Sequence, residues 1–339
     1  MITLEDNRLS FSFPEVHDNA NCSIEFQRTL RIPDDDKDYP LPPGLGCFPL
    51  RHLEDYAPRL PDEWLRRGGV IAPMHQAEAM WINFKSRYNY WSEQSYPFAV
   101  KIATGKICAI TGKTWVNQLN SDPQDYVVLP KQPWLDGYCV EKGVIRQFVA
   151  MPLGEGYTVE EQLTGAAQHG GLQIVAYPMK RERYEEMTAR QSKARRTILF
   201  ALRTTSMGLA PGGRMKQDIY DDPYGLDAWD QQHVSRCFVT LVNSAQWMAI
   251  TGERPPTEPP TTRQYTEAGL PWFDNYGGDA EVVAGAEKLK GTKSVAQIAK
   301  EKGDVPPENE TLDIPHVIRL RSRGTNEVEE YPAGEVMDS

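Results

Sequence analysis

Short runs of alternating apolar and polar residues, cut by Gly and Pro, fill the first 180 positions of this chain. A period of two places every second side chain on one face, so such runs form half-buried strands. Leu9-Ser10-Phe11-Ser12-Phe13 and Cys22-Ser23-Ile24-Glu25-Phe26 show the pattern plainly. Residues 98–103 and 107–111 read as a hairpin around Thr104-Gly105-Lys106, where Gly105 supplies the positive φ of a tight turn. Further strands are expected at 126–129, 144–150 and 172–177. A helix is expected over 73–84, with Pro73 in its first turn and Met74, Ala77, Met80 and Trp81 on one face. The acidic, proline-bearing stretch 34–46 reads as an exposed loop.

The pattern changes at Lys180. Tyr184, Met187, Ala194, Ile198 and Ala201 follow at three- and four-residue steps broken only by Gln191, which predicts a helix over 181–203, although TILFALR at its end fits a buried strand equally well. GLAPGGR (208–214) reads as a glycine-rich turn. A second helix is expected to open near Asp230, to carry Val234, Cys237, Phe238, Leu241, Trp247 and Ile250, and to stop at Gly252. PPTEPPTT (255–262) is an extended connector and GLPWFDNYGG an irregular aromatic turn. A short helix runs over 294–302 with Ser294 as its N-cap, and HVIRLR (316–321) offers an edge strand. The fold class is therefore α+β: a β-rich part over 1–180, a mixed or helical part over 181–302, and an acidic tail over 303–339. Alternatively, 130–180 continues into the second part as one module.

With 339 residues, 40% of them hydrophobic and 25% charged, the chain has the composition of a soluble globular protein. Its formal charge of −10 argues against general nucleic-acid binding. That charge is unevenly spread: residues 1–179 carry a net −6, residues 180–216 a net +7, and residues 217–339 a net −11. Segment 180–216, with Arg195 and Arg196, is thus the one candidate contact for a polyanion. No secretory leader, lipidation box or run of about 18 apolar residues is present, so the expected location is cytoplasmic, with no membrane contact. Cys22, Cys47, Cys108, Cys139 and Cys237 are widely spaced and form no C-x-x-C pair.

Neither a phosphate-binding loop, a complete dinucleotide fingerprint nor a G-x-S-x-G elbow occurs. Two half-motifs carry metal-ligand chemistry. His75 and Glu78 stand three residues apart, as do Asp230 and His233, and on helices each pair shares a face. Brought together, they make a two-His, two-carboxylate site suited to Zn, Mn or Fe, able to activate water for hydrolysis. Apart from such a metal, no cofactor is expected. Among the aromatic residues, Trp134 and Trp272 lie in turn-like contexts and are the candidates for exposed or interfacial rings. The leading expectation is a non-catalytic binding or self-assembling protein whose partner is itself or another protein. The alternative is a metal-dependent enzyme, such as a hydrolase, built on the His/carboxylate set.

The segments VIRQFVAMPLGEGYTVEEQLTG (144–165), GGLQIVAYPMK (170–180), GGRMKQDIYDDPYGLDAWD (212–230) and YTEAGLPWFDNY (265–276) resemble those of an uncharacterised family of hypothetical proteins from bacteria and simple eukaryotes. The resemblance spans roughly 130–300 and implies one module that crosses position 180. It implies no activity and transfers no site residue.

Overall fold

Each alternating run pairs with its neighbour, and the hairpins merge into two large sheets. The structure is a computed structural model that describes residues 1–35, 37–86, 88–89, 94–191, 209–276, 281–304 and 309–321. In chain order the strands are β1 (Ile2–Glu5), β2 (Arg8–Ser12), β3 (Asn21–Thr29), β4 (Asp38–Tyr39), β5 (Gly44–Cys47), β6 (Arg51–His52) and β7 (Val70–Pro73). They continue with β8 (Ala79–Ser86), β9 (Tyr88–Asn89), β10 (Gln94–Ser95), β11 (Phe98–Thr104), β12 (Ile107–Cys108), β13 (Val127–Leu129) and β14 (Trp134–Leu135). The last are β15 (Gly137–Glu141), β16 (Val144–Val149), β17 (Leu172–Pro178), β18 (Ala210–Lys216), β19 (Ser235–Val242), β20 (Trp272–Tyr276) and β21 (Val317–Arg321). The α-helices are short: α1 (Asp62–Arg67), α2 (Val159–Thr164), α3 (Arg181–Gln191), α4 (Ser244–Thr251), α5 (Thr262–Glu267), α6 (Glu287–Lys290) and α7 (Val295–Lys302).

The larger sheet has ten strands, ordered β1-β2-β3-β8-β16-β18-β4, with β5 on β3, β14 on β8 and β15 on β16. The smaller has seven, ordered β12-β11-β17-β19-β7-β6, with β13 on β11. Their inner faces share one core: the Phe13 and Phe98 rings lie 5.8 Å apart, and the Tyr138 hydroxyl of β15 donates to Thr104 Oγ1 of β11 at 2.9 Å. On the outer face of the larger sheet α7 lays Val295, Ile298 and Ala299 against Ala79, Val149 and Ala210. No helix among the described residues is long and apolar enough to cross a membrane.

Several expectations hold in register. Leu9 pairs with Ile24 and Phe11 with Cys22, their side chains buried. Gly105 turns β11 into β12 at φ +56°. Ser294 caps α7 with a reciprocal Gln297 bond, and HVIRLR becomes β21, parallel to β20.

Others are corrected. Residues 73–84 are not a helix: β7 ends at Pro73, Ala77 turns at φ +64°, and β8 pairs with β3 over eight positions. Residues 230–251 divide into β19 and α4, with Asn243 capping the helix and Gly252 closing it in the left-handed region. The glycines of 208–214 mark a strand, β18, and not a turn. A Cβ on Gly213 would stand 2.2 Å from the Pro33 carbonyl oxygen, so glycine is what lets the 31–35 segment cross the strand. The aromatic turn at 269–278 contains β20. Of the helix expected over 181–203, α3 accounts for the first eleven residues. The remainder, with TILFALR, Arg195 and Arg196, lies outside the described residues. The carboxy-terminal part is also not a helical body packed on a β-rich one. Both β18 and β19 lie beyond position 180, and each sits inside a sheet, between β16 and β4 and between β17 and β7.

Candidate functional site

The four candidate metal ligands are used in other ways. His75 and Glu78 flank the turn into β8. Glu78 is buried, with Oε1 accepting Arg28 Nε at 2.6 Å and Oε2 accepting the His75 amide at 3.1 Å. Burial raises its pKa above the ordinary carboxylate value, against the opposing pull of Arg28. Arg28 Nη2 donates to the Thr257 carbonyl at 2.6 Å, and His75 Nε2 lies 3.1 Å from the Pro256 carbonyl. A carbonyl only accepts, so Nε2 carries the proton there. Arg28 and His75 therefore fasten the proline-rich connector beside β3 and the turn into β8, two inner strands of the larger sheet.

Asp230 and His233 form a turn ahead of β19. Asp230 Oδ1 accepts the amides of Gln232 and His233 at 2.9 and 3.0 Å, while Oδ2 meets His233 Nδ1 at 2.8 Å. Burial works to raise the Asp230 carboxyl, but these bonds prevail and hold it below its ordinary value. The turn borders a cleft of about 730 Å³ whose lining includes Lys180, Arg181 and Trp229. Among the described residues no group of three or more His, Cys, Asp or Glu side chains is arranged to hold a metal ion, so the expected four-ligand site is not assembled. Sequence spacing put each pair on a helix face, and neither pair lies on a helix.

Of the two tryptophans singled out, Trp272 is fully buried. Its indole N–H donates to Thr266 Oγ1 at 3.2 Å and its ring meets Tyr265 edge-on, so it is core and not an exposed ring. Trp134 is half-buried on β14, edge-on to Trp81 with centroids 6.4 Å apart. It stands in the wall of a pocket of about 310 Å³.

Three elements of the fold meet at this pocket. The end of β18 supplies Lys216, Gln217 and Asp218; β4 supplies Asp38; β20 supplies Asp274, carried there by the Leu41–Phe273 bridge. Two glutamines brace the walls. Gln132 Nε2 donates to the carbonyls of Trp134 and Asp218 at 2.9 and 3.2 Å, while its Oε1 accepts the Tyr220 amide at 3.1 Å. Gln217 Oε1 accepts the Asp136 amide at 2.9 Å, and its Nε2 donates to Asp136 Oδ2 at 2.5 Å. Asp38 is paired with Arg214 at 3.0 Å. The carboxylates of Asp218 and Asp274 have no hydrogen-bond or ion-pair partner among the described residues, and the same is true of the Lys216 amine.

Behind this wall lies Asp136, buried and without a cationic partner. Burial pushes its carboxyl up to about 7, against hydrogen bonds from the Trp134 side chain and Gln217 that favour the charged form. Sequence reading singled out Trp134 but missed Asp136, Gln217 and Asp218. The one available signal is that Gln132, Trp134 and Asp136 follow at two-residue steps, the strand period that turns them to one side.

No family model, no curated protein and no solved structure matches the chain.

Proposed function

We propose that this is a non-catalytic binding protein whose site is the Trp134 pocket, and that its ligand carries an ammonium or guanidinium group. The observation that supports this reading is the charge inventory of the lining. Once Arg214 neutralises Asp38, two carboxylates without a partner among the described residues, Asp218 and Asp274, share the lining with one described ammonium, Lys216. A concave, acidic site beside an aromatic ring favours organic cations, which gain from the ring quadrupole as well as from the carboxylates. At about 310 Å³ the pocket suits a headgroup or a small amine and not a large cofactor.

Isothermal titration with choline and with agmatine tests this. Both bind saturably to the wild type, and Trp134→Ala weakens them by about 3- to 30-fold, the range expected for one cation–π contact. Absence of binding by either compound at millimolar concentration removes the reading.

A further inference from the structure

We infer that Asp136 is a specificity-determining residue of the Trp134 pocket: it sheds its proton when an organic cation occupies the pocket, so that cation binding and proton release are one event. This rests on the pocket reading above and goes beyond it by naming the group that selects charge and the pH dependence that follows.

Asp136 does not line the pocket, yet Gln217, whose Nε2 donates to its Oδ2 at 2.5 Å, and Trp134, two residues before it, both do. A charge in the pocket is therefore one side-chain layer from the carboxyl. The carboxyl is finely balanced. Burial favours its neutral form, and the two N–H donors favour its charged form. The charged groups nearby sit on the pocket side: Lys216 and Asp218 from β18, Asp38 with its partner Arg214, and Asp274 from β20, with Tyr220 beside them. On the β16 side Arg146 turns to the Thr292 carbonyl at 3.3 Å. No charged group is among the influences on the Asp136 carboxyl, which are burial, Trp134 and Gln217.

A unit charge about 6 Å away, through a medium of effective dielectric about 20, changes a proton affinity by roughly a hundredfold. That suffices to turn a neutral acid into a carboxylate near pH 6. The proton goes to solvent, and Gln217 Nε2 already donates to an oxygen that becomes charged. A neutral ligand of the same shape gains nothing from this exchange, so Asp136 discriminates by charge.

The test uses the full chain with choline, whose quaternary nitrogen does not titrate, and its neutral carbon analogue 3,3-dimethylbutan-1-ol. Titrations at pH 6 in phosphate and in MES, buffers of different ionisation heat, count the protons released. Wild type releases close to one proton per choline at pH 6 and few at pH 8.5, and its affinity for choline falls by tens of fold from pH 8 to pH 5. The alcohol releases none. Asp136→Asn abolishes the proton release and flattens the profile relative to wild type, while Asp218 and Asp274 act equally in both proteins. Choline binding without proton release at pH 6 overturns the inference and leaves the pocket reading intact. Failure of wild type to bind choline or agmatine removes both. The wild-type proton count needs no variant, so it decides the matter even if Asp136→Asn does not fold.

Discussion

Three buried ionisable residues show how the same desolvation cost leads to different outcomes. Lys101 is almost fully buried, and its ammonium is met by Asp125 Oδ2 at 2.6 Å and by the carbonyls of Gln118 and Val116 at 2.7 and 2.9 Å. Glu25 is equally enclosed; burial works to raise its carboxyl, but Asn83, Lys85 and Arg8 together hold it below the ordinary value. Asp136 has only neutral donors, so burial prevails and it stays protonated up to about pH 7. The sign of the consequence for stability follows. From about pH 4 to about pH 7 the unfolded chain has lost this proton and the folded chain keeps it, so this group's contribution weakens as pH rises and levels off above 7. An acid raised from 3.8 to about 7 carries a penalty of roughly 4 kcal/mol once ionised. Asp136→Asn is therefore expected to be more stable than wild type at pH 8, by up to that order, and indistinguishable from it at pH 4. Urea unfolding at the two values measures the difference.

At the scale of elements, the misread segments share a physical cause. Strand β8 turns Met80, Ile82 and Phe84 to the core, and α7 covers Ala79 on the other face. With both faces partly buried, the run loses its polar alternation, and apolar residues then recur at three- and four-residue steps by default. Strand β19 repeats this with Cys237, Val239 and Val242 buried and Leu241 packed against the core. Edge and hairpin strands such as β2 and β3 kept their alternation and were legible. The Gly252 end of α4 and the Ser294 cap of α7 were legible too, because each acts within one helical turn, whereas the Asn243 cap of α4 was hidden by the apolar run of β19. Of the candidate site, Trp134 was legible as a ring outside the core, whereas Asp136 and Asp218 are ordinary aspartates until β15 and β18 place them. A loop can also depend on a single strand residue. Lys101 of β11 holds the 116–125 stretch over the outer face of the smaller sheet, with Trp115 5.0 Å from its ammonium. Lys101→Met leaves Asp125 buried without its cation and should cost about 3–5 kcal/mol in urea unfolding. Protection of the amides in that loop from hydrogen exchange should fall with it.

For the whole molecule, the decisive fact is that both sheets draw strands from either side of position 180. β16 pairs with β18, and β17 pairs with β19, which in turn lies parallel to β7. Truncation after residue 180 removes an inner strand from each sheet and exposes the shared core. The shortened chain is expected to lack a dispersed amide NMR spectrum, while the full chain unfolds in one transition by circular dichroism and by tryptophan fluorescence. Two separable transitions, or a folded fragment 1–180, would contradict this.

The chain's alternation, its turn glycines and its capping residues are determined by the sequence alone, because each acts through neighbours a few positions away. Which strands become interior, where His75, Glu78, Asp230 and His233 end up, and that Trp134 meets Gln217, Asp218 and Asp274 at one pocket with Asp136 behind its wall were decided by the tertiary structure. The pocket alone gathers residues as far apart in the chain as Asp38 and Asp274, and such partners are set by sheet order and shared burial, which no local spacing encodes.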